Sequence, residues 1–285
     1  MVRLIDSTPI PLGTLCDWAR WNGRTHGMKM HTVFDPHADH PRRITITPST
    51  VNDVDIGRKE PLEKNATYVF DKGYCDYGWW SRIHAAGAIF VTRPKKNVTF
   101  DIVKARCVAE QQGDGFTILA DDDVRLAGQG KARLACALRR VRIKRENGDV
   151  IEVITNDPGR SAVEVAALYK ARWQIELLFR WIKQHLKLSC FLGRSENAIR
   201  LQILAAMIAY LLLRIAARQS RSTLPALRFA ELVGQCLFIR KPLTRLDRPP
   251  EEHEDKPSAR HAPEQMELAY AWLPRTALRA SGDFE

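Results

Sequence analysis

An α/β fold is what this 285-residue sequence predicts, and three observations carry the prediction. The first third alternates short β-branched or apolar runs with Asp, Gly and Pro punctuation. Residues 95–158 hold several strand-like runs and an Asn-Gly hairpin signal. From Ser161 onward the apolar residues recur at helical spacing.

In the first third, Val2–Ile5 reads as a strand ending at Asp6. Met28–Phe34 and Arg43–Thr47 read as two more, and Thr67–Phe70 as a fourth that stops at Asp71 before a Lys72-Gly73-Tyr74 turn. Asp76 is placed to cap a helix through Trp80, Ile83 and Ala86 that Gly87 stops. Ala88–Thr92 is a fifth strand, closed by Pro94.

In the middle, Val98–Val103, Phe116–Leu119 and Val141–Ile143 are strand-like. Asn147-Gly148 joins the third of these to Val150–Ile154 as a hairpin. The acidic run Asp121-Asp122-Asp123 reads as a solvated turn. Next, Ser161 and Glu164 form a capping box for a helix running to about Leu188. A second helix covers Glu196 to Arg218, and Phe229–Phe238 is a candidate third. Residues 241–285 open on a Pro- and charge-rich stretch and read as a tail. The domain expectation is therefore 1–94 and 159–240 as two parts of one core, 95–158 as a β-rich insertion, and 241–285 as the tail.

Lys plus Arg exceed Asp plus Glu by 44 to 33, a net charge of +11. Fourteen of those bases, against four acids, fall between Arg160 and Thr244. Such clustering favours a polyanion partner, nucleic acid before an anionic membrane. The most apolar stretch, Ile203–Leu213, is shorter than the roughly 20 residues that span a bilayer, so it reads as a buried helix and no membrane partner is expected. Six scattered cysteines without paired spacing, and a start without an apolar leader, predict a soluble chain in a reducing, cytoplasmic compartment. His26, His31, His37 and His40 cluster loosely, but no Cys joins them at zinc-ligand spacing. Gly128-Gln129-Gly130-Lys131 lacks the earlier Gly and the following Ser/Thr of a phosphate loop.

The chemistry concentrates in the helix that Ser161 opens. At helical pitch, Tyr169, Arg172, Glu176, Arg180, Lys183 and Lys187 fall within an arc of about 80°, opposite Ile175, Leu178, Trp181 and Ile182. A carboxylate set among cations suits a metal ligand beside bound phosphates. Asp6 and Asp71 each end a strand candidate, where carboxylates point into the crevice above a sheet and can hold a hard cation. Asp before Ser or Gly is also an ordinary turn former, and a basic helix face is also an ordinary solvated surface.

Taken together, the spacing Tyr169-x2-Arg172-x3-Glu176-x6-Lys183 resembles the Y-R-E-K signature of bacterial DDE transposases of the insertion sequence 4 family. Asp6, in Ile-Asp-Ser-Thr, resembles that family's first acidic residue, and Asp71, in Val-Phe-Asp-Lys-Gly-Tyr, its second. The resemblance covers about residues 1–240. It implies an RNase H-like core with a β-rich insertion between the second Asp and the Glu. It implies Asp6, Asp71 and Glu176 as catalytic and metal-binding residues, with Mg²⁺, or Mn²⁺ in its place, as cofactor. Tyr169, Arg172, Arg180, Lys183 and Lys187 would grip DNA at transposon ends and target, in a self-associating synaptic complex. The chemistry implied is phosphodiester hydrolysis followed by strand transfer. Trp79, Trp80, Trp173 and Trp181 are candidates to stack on an unpaired base, with core packing the commoner role for most of them. Family members carry a substantial region before the first Asp, whereas five residues precede Asp6, so a truncated chain with impaired end-specific transposition is expected. A metal-dependent nuclease that cuts without joining, and a DNA-binding remnant without catalysis, are the alternatives.

Overall fold

The parallel pairing of two short segments, Val2–Ile5 with Thr67–Phe70, forms the centre of the fold. The computed structural model describes residues 1–236 apart from 14–15, 20, 22, 24–25, 109–111, 128–133, 135, 186–189 and 225. Strands β1 (Val2–Pro11), β2 (Gly27–Asp35) and β3 (His40–Pro48) form an antiparallel meander. Helix α1 (Asp53–Gly57) leads to β4 (Thr67–Phe70), which runs parallel to β1. After a 3-10 turn at Lys72–Tyr74, α2 (Tyr77–Ala85) crosses to β5 (Ile89–Thr92), parallel to β4.

The β-rich middle comprises β6 (Phe100–Ala105), β7 (Gln112–Gly113), β8 (Phe116–Leu126), β9 (Leu138–Arg145) and β10 (Val150–Thr155). Its strands join the same sheet, because β10 pairs antiparallel with β5. The order is β3-β2-β1-β4-β5-β10-β9-β8-β6, with β7 beside β8. Helices α3 (Ala162–Ala171), α4 (Trp173–His185), α5 (Glu196–Ser220) and α6 (Ala226–Gln235) follow.

Side chains alternate faces along a strand, and the burial follows that alternation. Leu4, Val69, Val91 and Val153 lie in one core with Val165, Ile175, Leu178, Ile182 and Ile203 from α3, α4 and α5. Ile5, Phe70, Phe90 and Ile154 lie in the other, with Trp79, Trp80 and Ile83 from α2. Trp79 and Trp80 are fully buried, Trp80 stacked on Phe90 and Trp79 against Phe70. Neither can stack on a base. Trp181 packs edge-on against Tyr210, whereas Trp173 is half exposed.

Local signals hold where backbone geometry demands them. Asp76 accepts from the Trp79 N–H at 2.7 Å and caps α2, and Gly87 ends that helix at φ +69°. Gly148 turns the β9–β10 hairpin at φ +85°, and the Ser161–Glu164 capping box is complete.

Four expectations change. First, β1 continues to Pro11, so Asp6 lies inside the strand, opposite Thr32 of β2. Second, the helix from Ser161 is two helices separated at Arg172, where the Arg172 and Ile175 N–H groups reach back three residues, to Tyr169 O and Arg172 O, instead of four. Third, α5 is not wholly buried: Ile199, Ile203, Ala206, Met207 and Tyr210 face inward, but its opposite side is exposed. Among the described residues it is the one helix long and apolar enough to cross a membrane by length and composition.

The fourth change is Asp121–Asp123, which lies within β8 and is not a solvated turn. Arginines supply the reason. Asp121 receives both Nε and Nη2 of Arg139 at 2.7 Å, Asp122 pairs with Arg140 at 2.9 Å, and Asp123 with Arg106 at 2.6 Å. Arg139 also donates to the carbonyls of Asp157 and Arg160, tying β9 to the turn that launches α3. Lys187 and Leu188, Gly128–Lys131, Phe238 and the 241–285 tail lie outside the described residues.

Because Arg139 and Asp121 are both about 95% buried, with 4% and 5% of their side chains exposed, removing one partner strands a charge. Asp121→Ala is expected to lower unfolding stability by about 3–5 kcal/mol in urea titration. Asp114→Ala, which removes the exposed ion pair with Lys170, should leave the urea midpoint close to that of the parent chain.

Candidate active site

The β1–β4 ladder ends at Ile5 opposite Phe70, so continuing it one step sets Asp6 beside Asp71. The β4–β5 ladder, which pairs Val69 with Val91, sets Asp71 level with Arg93 when continued two steps. Both Asp residues follow the alternation of Leu4 and Val69 and therefore face the α3–α4 side of the sheet. Asp71 precedes the Lys72–Tyr74 turn, yet its side chain makes no capping hydrogen bond there. Its carboxylate is not consumed by the turn.

Helix α4 supplies Glu176, and Arg172, at the α3–α4 break, connects it to β1. One Arg172 Nη donates to Asp6 at 3.2 Å and the other to Glu176 at 2.6 Å. Burial pushes the Asp6 carboxyl up to about 6. The Ser7 N–H and Arg172 oppose that rise, while the negative charges of Glu176 and Asp71 add to it. The Ser7 N–H bond is 2.8 Å long. The charges of Asp71 and Glu176 thus reach Asp6, although the three chain positions span 170 residues.

The chemistry of this set fits a divalent ion: three hard oxygen donors, with one guanidinium against three negative charges. Asp6, Asp71 and Glu176 are the residues that could hold it. Among the described residues no three His, Cys, Asp or Glu side chains are drawn together as a ready metal cage. Arg172 stands between two of the three carboxylates instead.

The remaining predicted site residues divide by burial. Tyr169 is 6% exposed and belongs to the core, so it is not part of a solvated polar face; the Arg172 guanidinium lies 5.7 Å above its ring. Burial raises the Tyr169 hydroxyl pKa, with Arg172, Asp71 and Arg93 also acting on it. Arg180 is exposed, its guanidinium 5.8 Å over the Trp173 ring, and Lys183 is partly buried with its pKa pushed down by desolvation.

Sequence reasoning missed two groups. Arg93 follows β5 in the same row as Asp6 and Asp71; the shared C-terminal edge of the parallel strands is the signal that finds it. On the opposite face, Asp53 of α1 accepts from Ser7 Oγ at 2.7 Å and Lys29 Nζ at 3.0 Å, with His31 Nδ1 3.6 Å away. A five-residue helix shows no periodicity, so nothing in the sequence announced it. His31 is buried in β2 and bonded to Thr47 at 2.9 Å, and among the described residues no zinc-type group gathers round it.

With this geometry in view, the comparisons with known proteins are direct. The family described as the transposase DDE domain matches residues 1–212, and the chain belongs to it. A protein of Sinorhizobium fredii (strain NBRC 101917 / NGR234) named "Putative transposase y4zB" is 57% identical over 270 residues, covering 95% of this chain and 76% of that protein. "Probable transposase for insertion sequence element IS5377", from Geobacillus stearothermophilus, is 29% identical over 75% of this chain. The chain spans only 56% of that second relative. A cryo-EM structure of piggyBac transposase in a synaptic complex with hairpin DNA superposes with a TM-score of 0.51 at 10% identity, covering 88% of this chain and 55% of that one. The likeness concerns the fold, and it supports the α/β, RNase H-like expectation.

His31 gives this neighbourhood a pH signature. Burial lowers its pKa from 6.5 to about 4, the nearby Asp53 opposing and Lys29 assisting. The folded chain therefore binds fewer protons than the unfolded chain between those values. Stability is full above pH 6.5 and falls as pH drops toward 4, by about 3 kcal/mol at ~1.4 kcal/mol per unit. His31→Gln should remove that component, so denaturation at pH 7 and pH 4 should show a smaller acid loss for the variant than for the parent chain.

Proposed function

We propose that this chain is the catalytic part of a DNA transposase of the insertion sequence 4 type, with Asp6, Asp71 and Glu176 as its acidic triad. The observation that supports the reading most is the Arg172 bridge, which ties Asp6 of β1 to Glu176 of α4 on the sheet face where Asp71 also lies. Bound Mg²⁺, or Mn²⁺ in its place, would supply activation of a water and charge stabilisation at the leaving oxygen.

The chain's own residues account for the rest. Asp6, Asp71 and Glu176 present the oxygens that hold the cations. Arg172, whose two Nη groups pair with Asp6 and Glu176, would turn to phosphate oxygens once cations take up those carboxylates. Arg180 and Lys183 continue a positive track along α4, with Lys187 further along the chain, and the half-exposed Trp173 offers a stacking surface beside Arg180. Tyr169 supports Arg172 from beneath and is too buried to be a main DNA contact. In the first step water attacks the phosphorus and the 3′ oxygen leaves. In the second, the freed 3′ hydroxyl attacks a target phosphodiester. Each step breaks one P–O bond as it forms another, so no further energy source is needed. The partners are transposon-end and target DNA, with more than one chain in the assembled complex.

Asp71→Asn and Glu176→Gln should reduce Mg²⁺-dependent nicking of plasmid DNA, and joining of precut 3′-hydroxyl ends, by on the order of 10²–10³-fold or more, while the circular-dichroism spectrum and DNA affinity persist. Undiminished cleavage in both variants would show that the triad is misassigned. Nicking without joining by the parent chain would identify a nuclease.

Lys183→Ala should weaken DNA binding evenly across sequences and lower the slope of log K against log salt by about 0.9. An unchanged slope would remove Lys183 from the phosphate track.

A further inference from the structure

Helix α5 has two apolar faces, and only one is used by the fold. Ile199, Ile203, Met207 and Tyr210 are buried. On the other side Leu201, Leu204, Ile208, Leu212 and Ile215 are 66, 45, 58, 59 and 51% exposed. At ~100° per residue these five fall within an arc of about 80°, a continuous stripe. A contiguous apolar stripe of this kind marks an interaction surface more often than a monomer surface.

The spacing identifies what fits the stripe. Measured from Ile208, the exposed apolar positions lie seven and four residues before it and four and seven after it. The exposed polar residues Asn197 and Gln219 flank them, each eleven residues from Ile208. The pattern therefore reads the same in both directions. A second copy laid antiparallel, with a two-fold axis at Ile208, sets Leu201 against Ile215, Leu204 against Leu212, Ile208 against itself and Asn197 against Gln219. That is the self-complementarity an isologous interface requires.

Charge agrees with this arrangement. No charged residue lies between Arg200 and Arg214, and in the antiparallel pair these two come level with Ala216 and Gln202 of the other copy, so no arginine faces another. Glu196, held by Arg200 of its own helix at 2.7 Å, comes level with Ser220 of the other copy, so no carboxylate faces another. The seam spans about 33 Å at 1.5 Å per residue. A lipid surface fits less well, because a helix lying on a membrane needs basic residues free beside its apolar face. Here Arg214 pairs with Asp39 and Arg218 donates to the Ala38 carbonyl.

We infer that the outer face of α5 is a self-association surface on which two copies of this chain pair antiparallel about Ile208. The inference rests on the proposed function only for the use of such a pair, namely holding two DNA ends together. Its test measures mass and cross-links, so it can fail while the catalytic reading stands.

Sedimentation of the whole chain at micromolar concentration should give twice the chain mass. Ile208→Glu, which places two like charges on the axis, should sediment at the chain mass with an unchanged circular-dichroism spectrum, whereas Ile208→Leu should remain paired. Cysteine variants test the geometry even if the charged variant fails to fold. Ile208→Cys should cross-link to itself above the background of exposed Cys107 and Cys190. Leu201→Cys should cross-link to Ile215→Cys in a mixture and not to itself. A parent chain of single mass, pairing that survives in well-folded Ile208→Glu, or self-linking of Leu201→Cys would overturn the proposal. So would flotation of the parent chain with anionic phospholipid vesicles that Ile208→Glu abolishes.

Discussion

The ion pairs of Arg172 with Asp6 and Glu176 are the constraint around which the site is arranged. The negative charges of Glu176 and Asp71 act on Asp6, and burial makes the Asp6 charge costlier still. A single guanidinium relieves part of that cost, and Arg172 can reach both partners because it stands at the break between α3 and α4. The negative charge left over would attract small divalent cations, as the proposed function requires.

Two features of the fold place Arg172 and its partners. Parallel pairing of β1 with β4 sets both Asp residues at one ladder end and on one face. The buried Arg139–Asp121 pair, through Arg139 bonds to the Asp157 and Arg160 carbonyls, fixes the turn from which α3 departs. The β-rich middle of the chain therefore acts on the candidate site structurally, although none of its strands carries a member of the proposed triad. Arg180 and Lys183, by contrast, lie on α4 within two turns of Glu176, where they add positive potential without competing for the carboxylates.

What the sequence made legible were features written in local chemistry. The Asp76 cap, the Ser161–Glu164 box and the Gly148 turn are short-range and form as expected. Fixed helical spacing placed Arg172 and Glu176 together. What stayed hidden depends on partners distant in the chain. Asp121–Asp123 looks like a turn until Arg139, Arg140 and Arg106 neutralise it across the sheet. Tyr169 shares the angular sector of the polar residues, yet the core covers it. Arg93 is noticed only through its register with Asp71, and α5 reads as simply apolar until its outer face is seen uncovered.

The most direct test of the account is to locate the metal. A crystal of this chain grown with Mn²⁺ and a DNA duplex ending in a 3′ hydroxyl should give anomalous scattering peaks bounded by Asp6, Asp71 and Glu176, with the 3′ end beside them. Mn²⁺ bound elsewhere, or those carboxylates remaining without a cation while DNA occupies the crevice, would contradict it.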